Sequence, residues 1–317
     1  MRIGLMIGPE RGRYADKVQR LIADAVACEH GGFGSIWVPQ MPNDFDALTA
    51  CALMGYATSR IEIGTAVMPI QTRHPVAMAQ QSLANQAILQ GRFTLGLGPS
   101  HHWIVEDMLG LAYEKPVRLV RDYVEALNVA FAGPGPFDIE NTSFRIHSPL
   151  DVTDIAPTPI LIAALAPLML KAAGELASGT ILWMADERAI GGHIVPNITK
   201  AANGAGRPAP RVVAGVPVVL CRDNEVEGAR AWANQALGHA EYSPNYIRLL
   251  EHGDATDVGD LLAAGSEQAV VARLKSFRDA GVTDLAVRTL PIGSTRDERI
   301  ASKQRTIEFL SSLCPEL

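Results

Sequence analysis

Three histidines, His74, His101 and His102, lie with Gln71 and Arg73 just beyond two short apolar runs of this 317-residue chain. An unperturbed imidazole titrates near ~6.5, so His101 is a candidate to protonate or polarise a reacting group. A solvated loop histidine is its plain alternative. A metal centre is not expected: no H-E-x-x-H pattern accompanies the histidines, and the adjacent His101 and His102 need not converge. Ser100 stands outside a G-x-S-x-G elbow, which leaves hydrolysis unmotivated. Trp183-Met184 is ordinary core if buried, or an apolar wall for an aromatic ring if it reaches an active face. Gly4, Gly8, Gly64, Gly96 and Gly98 fall in or at the ends of predicted strands, where glycine weakens pairing unless something must approach closely. Several at one end of one sheet suggest a flat ligand lying across the strand ends.

The elements that must position these groups alternate. Ile61–Met68 is a β-branched run that suits a buried parallel strand. Pro75 then opens a helix, with Val76, Ala79, Leu83 and Ala87 at helical spacing. Gly91 stops it, and Phe93–Leu97 is the next strand. Ile3–Ile7 (ending at Gly8-Pro9), Ser35–Val38, Ile160–Ala164, Thr180–Met184, Val212–Leu220 and Asp284–Val287 complete a set of eight. Helices read between them, over Asp44–Thr58, Pro116–Phe131, Leu168–Ala177, Ile190–Ala202, Asn224–Gly238, Gln268–Ala280 and Asp297–Leu313. Gly133–Pro159, with Pro134 and six further Gly or Pro positions, reads as a surface insertion carrying a small hairpin around Phe144-Arg145-Ile146. Tyr242–Ala264 reads as a second insertion of short helices. Gly96-Leu97-Gly98-Pro99-Ser100-His101 lacks the third glycine of a dinucleotide fingerprint, which demotes a Rossmann sheet. The expected fold class is α/β, a (β/α)₈ TIM barrel forming one domain over residues 1–317, with insertions around 133–159 and 242–264. In such barrels the ligand face is the carboxyl end of the strands.

Composition narrows the functional classes. Hydrophobic residues make up 48% of the chain and charged residues 20%, with a net charge of −6, which argues against nucleic-acid or anionic-membrane partners. The longest apolar run, Ile160–Leu170, is too short for a membrane span. Cys28, Cys51, Cys221 and Cys314 form no C-x-x-C and read as reduced, mostly buried thiols. The amino terminus runs directly into a predicted strand, so no signal peptide and a cytoplasmic location are expected.

At this point the residues carry a resemblance. Gly64-Thr65-Ala66-Val67-Met68-Pro69 with Thr72-Arg73-His74-Pro75 resembles the bacterial luciferase-like superfamily, and most of all its LLM-class branch using coenzyme F420. Gly91-Arg92-Phe93-x-Leu95-Gly96-Leu97-Gly98 resembles that family's fourth strand. Pro159–Ala164, Pro167–Gly174 and Gly179-Thr180-Ile181 resemble its fifth and sixth. Gly265-Ser266-Glu267-Gln268 resembles the start of its late helix.

The resemblance implies a (β/α)₈ barrel with a non-prolyl cis peptide at Ala66–Val67 in strand three. It implies an oxidoreductase moving a hydride between coenzyme F420 and a small-molecule substrate. Thr65, Ala66 and Val67 would back the ring, Gln40 and Gly98 would meet its edge, and Trp183 and Met184 would line a wall. Ala164, Leu165 and Ala166 would also contact the cofactor, whose phosphate would rely on backbone N–H groups near Leu165–Leu168 at a helix start. A second copy of the chain, as a homodimer, is the expected assembly partner. Two other readings stay open: an FMN-dependent monooxygenase on the same fold, and a non-catalytic flavin- or deazaflavin-binding protein. The family's sugar-phosphate dehydrogenases carry an Asp-His pair where Gln40-Met41 stand. They also carry a glutamate at His101, a lysine at Asp186 and Gly-Gly at Leu165-Ala166, so that activity is not expected.

Overall fold

In the computed structural model, residues 1–8, 14–133, 135–151, 154–238 and 243–315 are described. Pro9, Pro134 and Tyr242, which the sequence assigns to a turn and to the insertions, lie outside them. The strands are β1 (Arg2–Met6), β2 (Ser35–Val38), β3 (Glu62–Thr65), β4 (Met68–Pro69), β5 (Phe93–Gly98), β6 (Phe137–Glu140), β7 (Arg145–Ser148), β8 (Ile160–Ile162), β9 (Gly179–Trp183), β10 (Arg211–Leu220), β11 (Ala263–Gly265) and β12 (Asp284–Thr289). Eight of them close a parallel ring in the order β1-β2-β3-β5-β8-β9-β10-β12, with β12 pairing back onto β1. This is a (β/α)₈ barrel. The short β4 extends the third strand onto β5, β11 flanks β10, and β6–β7 form the hairpin expected in the first insertion.

The intervening helices are α1 (Lys17–His30), α2 (Ala47–Tyr56), α3 (Pro75–Ile88), α4 (Pro116–Ala132), α5 (Pro167–Leu176), α6 (Glu187–Ala189), α7 (Val195–Gly204), α8 (Val226–Leu237), α9 (Pro244–Leu250), α10 (Glu267–Asp279) and α11 (Arg296–Leu313). Helix–strand turns are set by glycines in the left-handed region, such as Gly91 at φ +88° and Gly281 at φ +99°, which a side chain would oppose. The start of β3 is fixed from α1. The Glu29 carboxylate accepts the N–H groups of Ser59, Arg60 and Ile61. Burial works against its charge, yet these bonds outweigh it and hold the carboxyl at about 2.

Outward strand residues such as Ile3, Leu5, Ile36, Val38, Leu95, Ile162, Val216 and Leu285 meet the buried helix faces in one continuous core. In α3 the stripe is buried at Ala79 and Leu83 and packs on the core at Val76, but its last position is not. Ala87 is exposed, and the buried face carries Met78, Ser82, Leu83 and Gln86. Gln86 is inside because its carboxamide bridges two loops: Oε1 accepts the Phe93 N–H and Nε2 donates to the Pro157 carbonyl. Two other boundaries shift. Strand three breaks at Ala66–Val67, and the helix read over Ile190–Ala202 opens with a π-turn at Ile190–Ile194. The second insertion contains α9 and a 3₁₀ turn at Gly259–Leu261, as its punctuation suggests, and then adds β11.

Candidate active site at the barrel mouth

Strand alternation sorts the barrel interior into layers. At the amino-terminal end Arg2, Glu62, Arg211 and Asp284 close the barrel with charge. Arg211 bridges Glu62 at 2.9 Å and Asp284 at 3.1 Å, Arg2 reaches both acids, and the Thr94 hydroxyl donates to Glu62. Burial alone would raise the Asp284 carboxyl, but Arg211, the Thr283 hydroxyl and Arg2 hold it below the usual carboxylate range. Above lies an apolar layer of Trp37, Leu161, Ile181, Val213 and Ala286, with Met6, Ala66 and Val67 packed on it toward the carboxyl end.

The mouth above that layer has two unlike sides. On one side Ala66 and Val67 are half-buried, and the peptide between them is cis, as the resemblance implies. Gly98 and Ala163 continue this side as a low apolar shelf. A Cβ built on Gly98 would stand 2.9 Å from the Ala163 methyl and 3.3 Å from Val67, so glycine keeps the shelf flat. A planar tricyclic ring fits such a surface, and any side chain at Gly98 would fill it. A second part of the mouth is aromatic. His101 stacks on Trp103 at 5.9 Å and lies 5.9 Å from Tyr246, a residue of α9. Tyr246 packs with Trp183 around Met184.

The electrostatics of this aromatic side favour neutral groups. Burial, and then the neighbouring His102, push the His101 imidazole below its ordinary value near 6.5. It is therefore neutral at pH 7. Burial pushes the Tyr246 phenol up to about 12, which leaves it a proton-bearing donor. Neither side chain makes a hydrogen bond within the described residues. Two backbone outliers flank them: Ser100 at φ +60° and Met184 at φ +59° occupy a region that non-glycine residues seldom adopt. Such conformations concentrate at functional sites.

The residues proposed from sequence divide into those the mouth gathers and those it does not. Val67, Ala66, Gly98, Trp183 and His101 meet there. Thr65 is wholly buried and turned to β5, its hydroxyl donating to the Gly96 carbonyl and accepting the Gly96 N–H. Gln40 stands after β2, but its carboxamide accepts the Ala47 N–H at 2.8 Å and so serves the start of α2. Ala164 points into the core; the preceding Ala163 is the half-exposed neighbour of Gly98. Met184 is buried beneath Tyr246 rather than forming a wall. Leu165 is half-buried with its carbonyl bound by His193 Nε2, and Ala166 is exposed. Tyr246 was absent from the sequence-based set, and only its aromatic type in an insertion could have marked it.

The region after β8 suits a phosphate in one respect. Helix α5 starts at Ala166 without a side-chain cap and with Pro167 first, so the Leu168 N–H has no partner inside the helix. Asp186, which the resemblance sets at the lysine position of the sugar-phosphate dehydrogenases, has a structural duty. One carboxylate oxygen caps α6 at Ala189, and the other accepts the N–H groups of Asp254 and Ala255, pinning the second insertion to β9. His74 is elsewhere, edge-on to Phe144. No group of three His, Cys, Asp or Glu among the described residues is placed to hold a metal. Two cavities lie off the mouth. One, of 310 Å³, is lined by Asn128, Phe131, Thr158 and Arg207 below β8 and β9. The other, a polar cleft of 670 Å³ beside α6 and α10, has its arginines Arg230 and Arg273 already paired with carboxylates.

Comparison with known proteins places this geometry in context. A family model described as luciferase-like monooxygenase matches residues 1–284. A 5,10-methylenetetrahydromethanopterin reductase of Methanolobus tindarius is 22% identical over 90% of this chain and 94% of its own length. An F420-dependent secondary alcohol dehydrogenase, solved with an F420–acetone adduct, superposes with a TM-score of 0.76 at 17% identity, covering 99% and 98% of the two chains. The oxygenating constituent of 3,6-diketocamphane monooxygenase from Pseudomonas putida, solved with FMN, gives a TM-score of 0.74 at 17% identity, covering 100% and 99%.

Proposed function

Because this chain belongs to the luciferase-like monooxygenase family, we propose that it is an oxidoreductase moving a hydride between coenzyme F420 and a small organic substrate held at the barrel mouth. The observation that carries the reading is that a flat apolar shelf and an aromatic, proton-bearing group lie at the same end of the barrel. When bound, the deazaflavin supplies the hydride chemistry at its ring carbon. Ala66, Val67, Gly98 and Ala163 would support one face of the ring. Trp183 and Trp103 would exclude water from the opposite side. His101 and Tyr246, both neutral at pH 7, would hold a proton at the substrate heteroatom whose charge changes with hydride transfer. The Leu168 N–H at the start of α5 would meet the cofactor phosphate.

The similarity to the reductase of Methanolobus tindarius along nearly its whole length supports the deazaflavin. The FMN-bound neighbour supports a second reading, an FMN-dependent monooxygenase, since the shelf takes either tricycle. Side-by-side fluorescence titrations with oxidised F420 and FMN test the choice. Tighter F420 binding is expected, and equal or tighter FMN binding would move the assignment to the second reading. Turnover is then checked with activated alkenes, ketones and imines. F420 binding with no turnover across that panel would favour a non-catalytic carrier.

A further inference from the structure

The interior face of β12 carries Asp284, Ala286 and Arg288 in alternation. Asp284 belongs to the charged layer that closes the bottom, and Ala286 to the apolar layer above it. Arg288 is the next step, half-buried at the level of the mouth and paired in register with Pro217 of β10. The β1 register, Leu5 beside Val287, puts Met6 on its other side. The other two arginines of the barrel interior, Arg2 and Arg211, are both tied to Glu62 and Asp284. Arg288 makes no hydrogen bond, ion pair or ring contact among the described residues. A guanidinium carries five donors in a planar fork, and beside Pro217 and Met6 these donors stay open at the mouth.

Its place in the ring adds direction. Counting round the barrel, β12 is four strands from β5 either way, so Arg288 lies across the barrel from the Gly98 shelf. We infer that Arg288 is an anion anchor and that the substrate is a small carboxylic acid, held by its carboxylate at β12 with its reactive carbon toward the shelf. The fork of the guanidinium matches a carboxylate in two parallel hydrogen bonds. A phosphate group offers the same chemistry and is separated by the test. The inference rests on the mouth being the substrate site, as proposed above, and not on which cofactor occupies it.

Calorimetric titration of the cofactor-loaded protein tests it with three probes: phenylpyruvate, its uncharged near-isostere 1-phenylbutane-2,3-dione, and inorganic phosphate. Phenylpyruvate should bind at least about tenfold more tightly than the dione, and that preference should shrink to about threefold or less in Arg288→Met. Arg288→Lys should keep part of it. Thermal unfolding of Arg288→Met should match the wild type, since no partner is orphaned, so a lost preference cannot be ascribed to misfolding. Equal binding of acid and dione, a preference that survives Arg288→Met, or stronger binding of phosphate than of phenylpyruvate overturns the carboxylic-acid anchor. F420 and FMN titrations of Arg288→Met keep the two proposals apart. Unchanged cofactor affinity is expected, and a selective loss of it would reassign Arg288 to the cofactor.

Discussion

The two ends of this barrel treat polar groups in opposite ways. At the amino-terminal end four charges interlock, with Asp284 only 2% exposed and every guanidinium engaged by a carboxylate. At the mouth the side chains of His101, Tyr246 and Arg288 make no hydrogen bond or ion pair among the described residues. The bottom is organised for stability, because removing one member leaves a buried charge uncompensated. The mouth leaves its donors to be completed by a ligand. Each can therefore be disturbed without the other.

The largest effect is expected at the bottom. Arg211→Met leaves Glu62 and Asp284 with Arg2 alone and should cost about 3 kcal/mol in urea unfolding, with cofactor affinity per folded molecule unchanged. Val67→Phe is its counterpart at the mouth. A ring added above the shelf should weaken cofactor binding by more than about tenfold while shifting stability by about 1 kcal/mol or less, read by fluorescence titration beside thermal unfolding.

A pH dependence should also map to the bottom. The folded Asp284 carboxyl lies below its unfolded value, so its contribution is full above about pH 4 and is lost as pH falls through the folded value. Asp284→Asn should flatten that acid limb in unfolding measured from about pH 7 down to about pH 2. Tyr246→Phe is expected within about 0.5 kcal/mol of the wild type because its hydroxyl has no hydrogen-bond partner among the described residues. If it holds the substrate proton, turnover should fall by about 10²-fold or more.

How far the sequence displayed this division follows from local pattern. Strands and helices came from runs of apolar residues and from glycines whose left-handed φ only the turn explains, and the eight strands lie where those runs are. Interior parity was harder. Ile160–Ala164 is apolar throughout, so nothing local separated the core-facing Ala164 from Ala163 at the shelf. Gln40 and Thr65 sit beside the mouth in sequence but spend their polar atoms on Ala47 and Gly96, a commitment only tertiary contacts reveal. Tyr246 comes from an insertion without periodicity. Arg288 falls just past the run read as the last strand, Asp284–Val287, and only the faces taken by Asp284 and Ala286 show that it shares their interior side. In α3, bridging by Gln86 outweighed the apolar stripe that placed Ala87 inside.

The most direct test of the account is a crystal structure of the protein with oxidised F420. The account predicts the tricyclic ring lying on Val67, Gly98 and Ala163, with His101 and Tyr246 on its open face and the phosphate near Leu168. A ring bound instead in the cavity lined by Asn128, Phe131 and Arg207, or turned away from the Val67 shelf, would contradict it.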